Sequence, residues 1–193
     1  LTFIKKKITK VKEFEIPIIC VGNIYVGGTG KTPISINLAI ELAKLGKKPA
    51  IIRKYYKDHE DEHNFIKSNF KKLILCDSRI EGITKAEKSN CDIVILDDGF
   101  QDHTFKKDLN IICFNQNQLI GNGLVLPSGP LRENLSALKN ADIIIINGNK
   151  NKKFEKKILN INDNLEIFYS SYVPKNLNQF RNKKLLAISG IGT

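Results

Sequence analysis

A glycine-rich segment carries the residue types that bind phosphate. It reads VGNIYVGGTGKTP over residues 21–33 and contains the Gly-Lys-Thr end of a Walker A loop. In such a loop, backbone N–H groups converge on the β-phosphate, the lysine bridges the β- and γ-phosphates, and the threonine hydroxyl binds Mg²⁺. Tyr25 stands where the strict pattern has glycine. The predicted nucleotide-binding residues are Tyr25, Val26, Gly27, Gly28, Thr29, Gly30, Lys31 and Thr32.

A second segment carries acidic groups that suit the metal of a nucleotide. Residues 93–98 read IVILDD, a hydrophobic run that closes on Asp97 and Asp98. Acids at the carboxyl end of a parallel strand lie at the sheet edge where ligands bind. We therefore predict that Thr32, Asp97 and Asp98 hold Mg²⁺, and that the chain performs phosphoryl chemistry on a nucleoside triphosphate.

Short apolar runs alternate with longer polar or helical segments, and they predict the elements that position these residues. Continuous rather than alternating apolar runs are typical of strands buried on both faces of a parallel sheet. Residues 32–45 have apolar positions at helical spacing and end before Gly46, a C-cap signal. We predict an α/β fold of the P-loop NTPase type with a doubly wound, mostly parallel sheet. The predicted strands are residues 16–21, 49–52, 73–76, 93–96, 110–114, 143–146 and 185–188.

Composition places the chain among ordinary globular proteins with a basic bias. It has 193 residues and a net charge of +11, from 31 Lys and Arg against 20 Asp and Glu. Two interpretations stay open: a phosphate-bearing partner, or a composition simply rich in lysine. The four cysteines show no CxxC spacing, so we expect them reduced and buried. The basic residues 1–15 could lie on an anionic membrane surface or be a solvated lead-in, and residues 147–157 are expected to form a loop or an exposed helix.

The string HEDEH at residues 59–63 matches the His-Glu-x-x-His signature of zinc metalloproteases. A zinc site needs both histidines on one face of a stable helix and a third ligand nearby. The polar flank at residues 55–58 argues against such a helix, so we interpret His59 and His63 as solvated flanks of a loop. We expect no structural zinc.

Three motifs together resemble a known family. The segments VGNIYVGGTGKTP (21–33), LDDGFQ (96–101) and GNGLVLPSGPLRE (121–133) are similar, in order and nearly in spacing, to those of the tetraacyldisaccharide 4'-kinases, which act in lipid A biosynthesis. The similarity runs from about residue 16 to the last residue. Gly-Lys-Thr alone is generic, whereas the other two segments are far more specific.

The resemblance implies an activity and a location. It implies an ATP- and Mg²⁺-dependent kinase that transfers the γ-phosphate to the 4'-hydroxyl of a tetraacylated glucosamine disaccharide 1-phosphate. It further implies a peripheral protein on the cytoplasmic face of the bacterial inner membrane. The partners would be that glycolipid and an anionic membrane surface, with no nucleic acid.

The resemblance also assigns roles to residues. The family's Gly-Asp-Glu motif corresponds to residues 60–62, so Asp61 would be the catalytic base beside Lys31, although Glu60 replaces the glycine. The family's Arg-Gly-Tyr corresponds to residues 53–55, again without its glycine. The candidate substrate contacts are Arg53, Gln101, Asn122 and Arg132.

The resemblance predicts a division of the chain and leaves one alternative open. We expect a lead-in at residues 1–15, a kinase domain at residues 16–180 and, at residues 181–193, the start of a C-terminal lobe of which much is missing, so that the chain is a fragment. The alternative is a MinD/ParA-like ATPase switch, but the additional lysine of those proteins would fall at Val26.

Overall fold

The computed structural model describes residues 11–173, 181, 183 and 184. Within them, the chain forms a seven-stranded sheet in the order β3-β2-β4-β1-β5-β6-β7, and every neighbouring pair of strands is parallel. The strands are β1 (Ile18–Gly22), β2 (Pro49–Lys54), β3 (Leu73–Cys76), β4 (Ile93–Asp97), β5 (Leu109–Asn115), β6 (Ile143–Asn147) and β7 (Glu166–Ser170). The helices are α1 (Lys31–Lys44), α2 (Glu60–Asn69), α3 (Arg79–Lys88) and α4 (Lys152–Leu159), with short 3₁₀ turns at Lys57–His59 and Leu135–Asn140.

The sheet is apolar on both faces because successive strand residues point to opposite sides. On β1, Ile18 and Cys20 face one core together with Ile83 of α3 and Phe154 of α4. Val21 faces the other core with the buried residues of α1 and α2. Helices on both faces of a parallel sheet confirm the predicted doubly wound α/β fold.

Two elements differ from expectation near the end of the described chain. Strand β7 was not predicted, because Glu166–Ser170 reads EIFYS and alternates only weakly at the edge of the sheet. Helix α4 begins within the segment 147–157, which was expected to be a loop or an exposed helix, and it buries Phe154 and Ile158. The strand predicted at residues 185–188 lies outside the described residues.

The segment before β1 joins the body of the fold. The backbone N–H of Lys12 donates to the Thr104 carbonyl at 3.0 Å, and Phe14 packs edge-on against Phe105 at 6.3 Å between ring centroids. In the described part of the chain, no helix is both long and apolar enough to cross a bilayer.

Candidate phosphate and metal site

The glycine-rich loop lies between β1 and α1, at the carboxyl edge of the sheet. Gly27 and Gly30 have φ values of +117° and +84°, which L side chains rarely adopt, and Gly30 is the N-cap of α1. A Cβ on Gly30 would lie 2.2 Å from the Asn147 Nδ2 atom. The loop therefore presents the N-terminus of a 14-residue helix, where the helix dipole and free N–H groups favour an anion.

Asn23 holds this loop from within. Its buried amide donates to the Thr29 hydroxyl at 3.0 Å, and its Oδ1 accepts from Arg132 at 3.0 Å. Its backbone carbonyl accepts from the Gln101 amide at 2.8 Å. Asn23 thus joins the three motifs of the sequence, although sequence reasoning did not select it as a functional residue.

Asp97, at the end of β4, faces the first turns of α1. Its buried carboxylate accepts from Ser35 at 3.0 Å and from Thr32 at 3.2 Å. The guanidinium of Arg53 also donates to Asp97, and it contacts the Thr32 hydroxyl at 3.3 Å. The structure therefore brings two of the three predicted metal ligands together, with Arg53 against the same oxygen atoms.

Asp98 turns toward the other side of the loop. Its carboxylate accepts from Arg132 at 2.7 Å and lies 3.9 Å from the Lys31 ammonium. Burial alone would raise the pKa of Asp98, but Lys31 and Arg132 outweigh it and hold that pKa below its usual 3.8. Asp98 is therefore a carboxylate paired with two cations, Lys31 and Arg132.

Arg53 lies between two acidic groups. Its guanidinium, 8% exposed, pairs with Asp97 and with Glu62, the third residue of α2. Burial opposes the charge, but Asp97 and Glu62 outweigh it and raise the pKa of Arg53 above its ordinary value. Arg53 is thus fixed as a cation at the predicted metal site.

The segment expected to be a loop around Asp61 is helical, and that expectation was wrong. Three acids occupy the first turn of α2, where they favour the positive end of the helix dipole, and Ile66 is buried one turn further on. Asp61 is exposed and makes no hydrogen bond or ion pair with the part of the chain that the structure describes. The acid that reaches into the site is its neighbour Glu62.

The two histidines of HEDEH have different surroundings. His59 is exposed, as expected, and its Nδ1 lies 3.4 Å from Arg53. His63 is 2% exposed and stacks on Tyr55 at 5.5 Å between ring centroids, so the expectation of a solvated His63 was wrong. Among the described residues, no group of three or more His, Cys, Asp or Glu side chains could hold a metal ion.

Amide side chains at the ends of β5 and β6 support the loop from the other flank, and sequence reasoning missed them. Asn147 donates to the Thr29 carbonyl, and Ser170 of β7 donates to Asn147. Asn115 donates to the Gly28 carbonyl at 3.4 Å. Only the pattern of strands ending in asparagine could have suggested these residues.

Residues 121–133 form a loop against the phosphate loop. Its Pro130 carbonyl accepts from the Val26 N–H at 2.9 Å, and Tyr25 forms a β-bridge with Leu131. Both ends of the Asn122 amide are used within this loop, with Ser128 and the Leu124 N–H as partners. Of the candidate substrate contacts, Asn122 is thus the one the structure assigns to the loop's own shape.

The donor set fits Mg²⁺. The Thr32 hydroxyl and the Asp97 carboxylate are hard oxygen ligands that meet at the start of α1, which is the ligand type that Mg²⁺ prefers. The guanidinium beside the same oxygens shows that they attract a cation.

Comparison with known proteins agrees with this geometry. The sequence model of the tetraacyldisaccharide-1-P 4'-kinase family matches residues 1–193, the whole of the chain. The chain belongs to that family. Since all 193 residues of this chain match the kinase family, the MinD/ParA-like alternative is not supported.

Individual relatives give the same picture. A tetraacyldisaccharide 4'-kinase of Pelagibacter ubique is 40% identical over 198 residues, which cover 100% of this chain and 62% of the relative. One of Francisella tularensis subsp. novicida is 34% identical, with 98% of this chain and 68% of the relative covered. The chain thus spans 62% of the length of the Pelagibacter relative.

A solved structure has the same fold as this chain. The crystal structure of LpxK from Aquifex aeolicus in complex with ATP aligns with a TM-score of 0.64 at 22% identity, covering 96% of this chain and 79% of that chain. At this identity the likeness shows a common fold.

His63 gives a pH dependence of stability. Burial and then the nearby Arg53 lower the pKa of His63 below 6.5, so the unfolded chain binds this proton at a higher pH than the folded chain does. The free energy of unfolding should therefore decrease as the pH falls below about 6.5. Urea unfolding at pH 7.5 and pH 5.5 should show a smaller pH-dependent loss for His63→Gln than for the unchanged chain. The exposed His59→Gln is the matched control, and an equal loss in all three proteins would contradict the assignment.

Proposed function

We propose that this chain carries the ATP site of a kinase that transfers the γ-phosphate to the 4'-hydroxyl of a tetraacylated glucosamine disaccharide 1-phosphate. The observation that carries the proposal is the meeting of Lys31 and Thr32 with the two acids Asp97 and Asp98 at one sheet edge. That arrangement serves phosphoryl transfer, and the names of the relatives specify the acceptor.

On the nucleotide side, residues 25–32 bind the phosphates. The N–H groups of the loop and of the first turn of α1 would bind the β-phosphate, and the Lys31 ammonium would neutralise charge on the phosphates. Asp98 and Arg132 position Lys31 through the charge pairs described above. Transfer then depends on holding the γ-phosphate in line with the acceptor.

Thr32 and Asp97 would hold Mg²⁺, with Asp98 close by. When bound, Mg²⁺ supplies charge neutralisation on the phosphate oxygens. Arg53 would leave the Asp97 and Thr32 oxygens and contact phosphate instead, still tethered by Glu62.

On the acceptor side, Asp61 accepts the proton of the sugar hydroxyl. Asp61 lies in the first turn of α2, next to the residue that pairs with Arg53, and its exposure leaves it accessible to a substrate. Gln101, Arg132 and Arg53 are proposed to contact the substrate. Asn122 would contribute through the shape of residues 121–133.

The acceptor also suggests where the protein works. We place it on the cytoplasmic face of the bacterial inner membrane as a peripheral protein, with the net charge of +11 directed at anionic lipid. Residues 1–15 would be apposed to the membrane, residues 16–180 would form the kinase domain, and residues 181–193 would begin a C-terminal lobe.

Radiolabelled phosphate transfer from ATP to the disaccharide, using the full gene product, tests the proposal. Asp61→Asn should lower kcat by about 10²-fold or more while the Kd for Mg·ATP stays unchanged, because a general base acts in the chemical step. Asp58→Asn, an exposed acid just before α2, is the matched control and should keep full activity. Full turnover by Asp61→Asn would assign the base elsewhere, with Glu62→Gln as the next variant to measure.

A further inference from the structure

The turn that follows β4 has an unusual backbone. Asp98 has φ of +63°, a left-handed conformation that is uncommon for a residue other than glycine. Gly99 follows, and a Cβ there would lie 2.9 Å from the Leu96 side chain. A turn of this kind needs support from its surroundings, because non-glycine residues favour right-handed φ by roughly 1 kcal/mol.

Arg79 supplies such support from the far side of the turn. It is the first residue of α3, its side chain is 11% exposed, and it follows β3 at the same sheet edge. Its guanidinium donates to the backbone carbonyl of Asp98 and lies 3.3 Å from the Asp102 carboxylate. A single planar group therefore spans the turn from Asp98 to Asp102.

The contact to the carbonyl leaves the Asp98 side chain free to point the other way. That carboxylate reaches Arg132 at 2.7 Å and Lys31 at 3.9 Å. The Lys107 ammonium donates to the Phe100 carbonyl at 2.8 Å. A second cation therefore supports the backbone of the same turn two residues after Asp98. Arg79 is the cation that holds the residue whose side chain enters the phosphate site.

We propose that Arg79 is a positioning residue that orients the Asp98 carboxylate toward Lys31 and Arg132 by holding the Asp98 carbonyl. The proposal rests on the proposed function, since it concerns the same phosphate site. Arg79 is proposed to contact the Asp98 carbonyl and Asp102, and neither the nucleotide nor the acceptor. Its effect reaches the site only through the conformation of one turn.

The test measures the Kd for Mg·ATP by calorimetry and kcat by phosphate transfer, well below the unfolding temperature of each variant. Arg79→Met should raise the Kd for Mg·ATP about tenfold, as loss of a residue that orients a ligand-binding group typically does. Arg79→Lys should fall between Arg79→Met and the unchanged protein, because an ammonium cannot span both oxygens of the turn. Lys85→Met, exposed on the same helix, is the matched control and should bind normally.

A double-mutant cycle separates positioning from mere structural support. If Arg79 acts through Asp98, adding Arg79→Met to Asp98→Asn should change the Kd less than about twofold, because coupled residues are not additive. Full additivity, or an Arg79→Met protein that only unfolds at a lower temperature with unchanged Kd and kcat, would overturn the proposal. Calorimetry needs no glycolipid, so failure of the unchanged protein to phosphorylate the disaccharide would count against the proposed function and not against Arg79.

Discussion

Lys31→Ala should lower kcat for phosphate transfer about 10³-fold while leaving the fold intact. The ammonium stabilises charge that develops on the transferring phosphoryl group, and loss of one such donor costs about 10²–10³ in rate, with the larger value expected where the donor is shielded. The Lys31 side chain is 14% exposed, so water cannot readily take its place. Asp98 keeps Arg132 as a partner in the variant, and the turn therefore stays in position.

Lys44→Ala is the matched control for this change. Lys44 ends the same helix and pairs with Glu41 at 2.7 Å on an exposed surface, where an ion pair contributes little. Turnover and stability should stay near those of the unchanged protein. A Lys31→Ala protein with kcat within threefold of normal would contradict the phosphate role of the loop.

Asp97→Asn should impair both stability and activity. The carboxylate is fully buried and accepts from Ser35, Thr32 and Arg53, so neutralising it leaves the half-exposed Glu62 as the remaining carboxylate that pairs with Arg53 in the described part of the chain. Breaking a buried pair on one side typically costs about 3–5 kcal/mol, and the remaining contact to Glu62 favours the lower value. Turnover should fall at least about 10²-fold, because the same change removes a proposed metal ligand. Urea unfolding and phosphate transfer measure the two effects.

Arg53→Met separates the stability loss of Asp97→Asn, which comes from the broken ion pair, from its activity loss, which comes from the missing metal ligand. In the Asp97→Asn background Arg53→Met should restore part of the stability, since it removes the cation that has lost its buried carboxylate partner, but it should restore no activity. Glu41→Gln, which removes an exposed ion pair, should cost less than about 0.5 kcal/mol. A stability loss for Asp97→Asn as small as that of Glu41→Gln would show that the buried pair is not needed for folding.

The fold was predictable because its strands are continuous apolar runs. Strands β1 to β6 stand out as Ile- and Val-rich segments, and Gly46 marks the end of α1. Strand β7 was missed because an edge strand buries less and mixes polar with apolar residues. Helix α2 was missed because its first turn is wholly charged, and the buried face of His63 and Ile66 becomes evident only against the sheet.

The site was predictable where a motif is contiguous and not where it is assembled from distant strands. Lys31, Thr32, Asp97 and Asp98 follow from local patterns, and the structure brings Thr32 to Asp97 and Lys31 to Asp98. Asn147 and Arg79 reach the site from other strand ends, and no spacing in the sequence reveals such contacts. Arg53 was expected to contact the substrate, and the structure places its guanidinium on the Asp97 carboxylate.

If the phosphate acceptor is a sugar hydroxyl, the γ-phosphate of ATP must appear on the glycolipid. The full gene product, Mg²⁺ and labelled ATP are incubated with the tetraacylated disaccharide 1-phosphate in detergent, and the label is followed into lipid and into free phosphate. We predict one labelled phosphate ester on the 4'-oxygen for each ADP formed, located by ³¹P NMR of the product. Label released only as free phosphate, at a rate that does not depend on the glycolipid, would show that the sugar hydroxyl is not the phosphate acceptor.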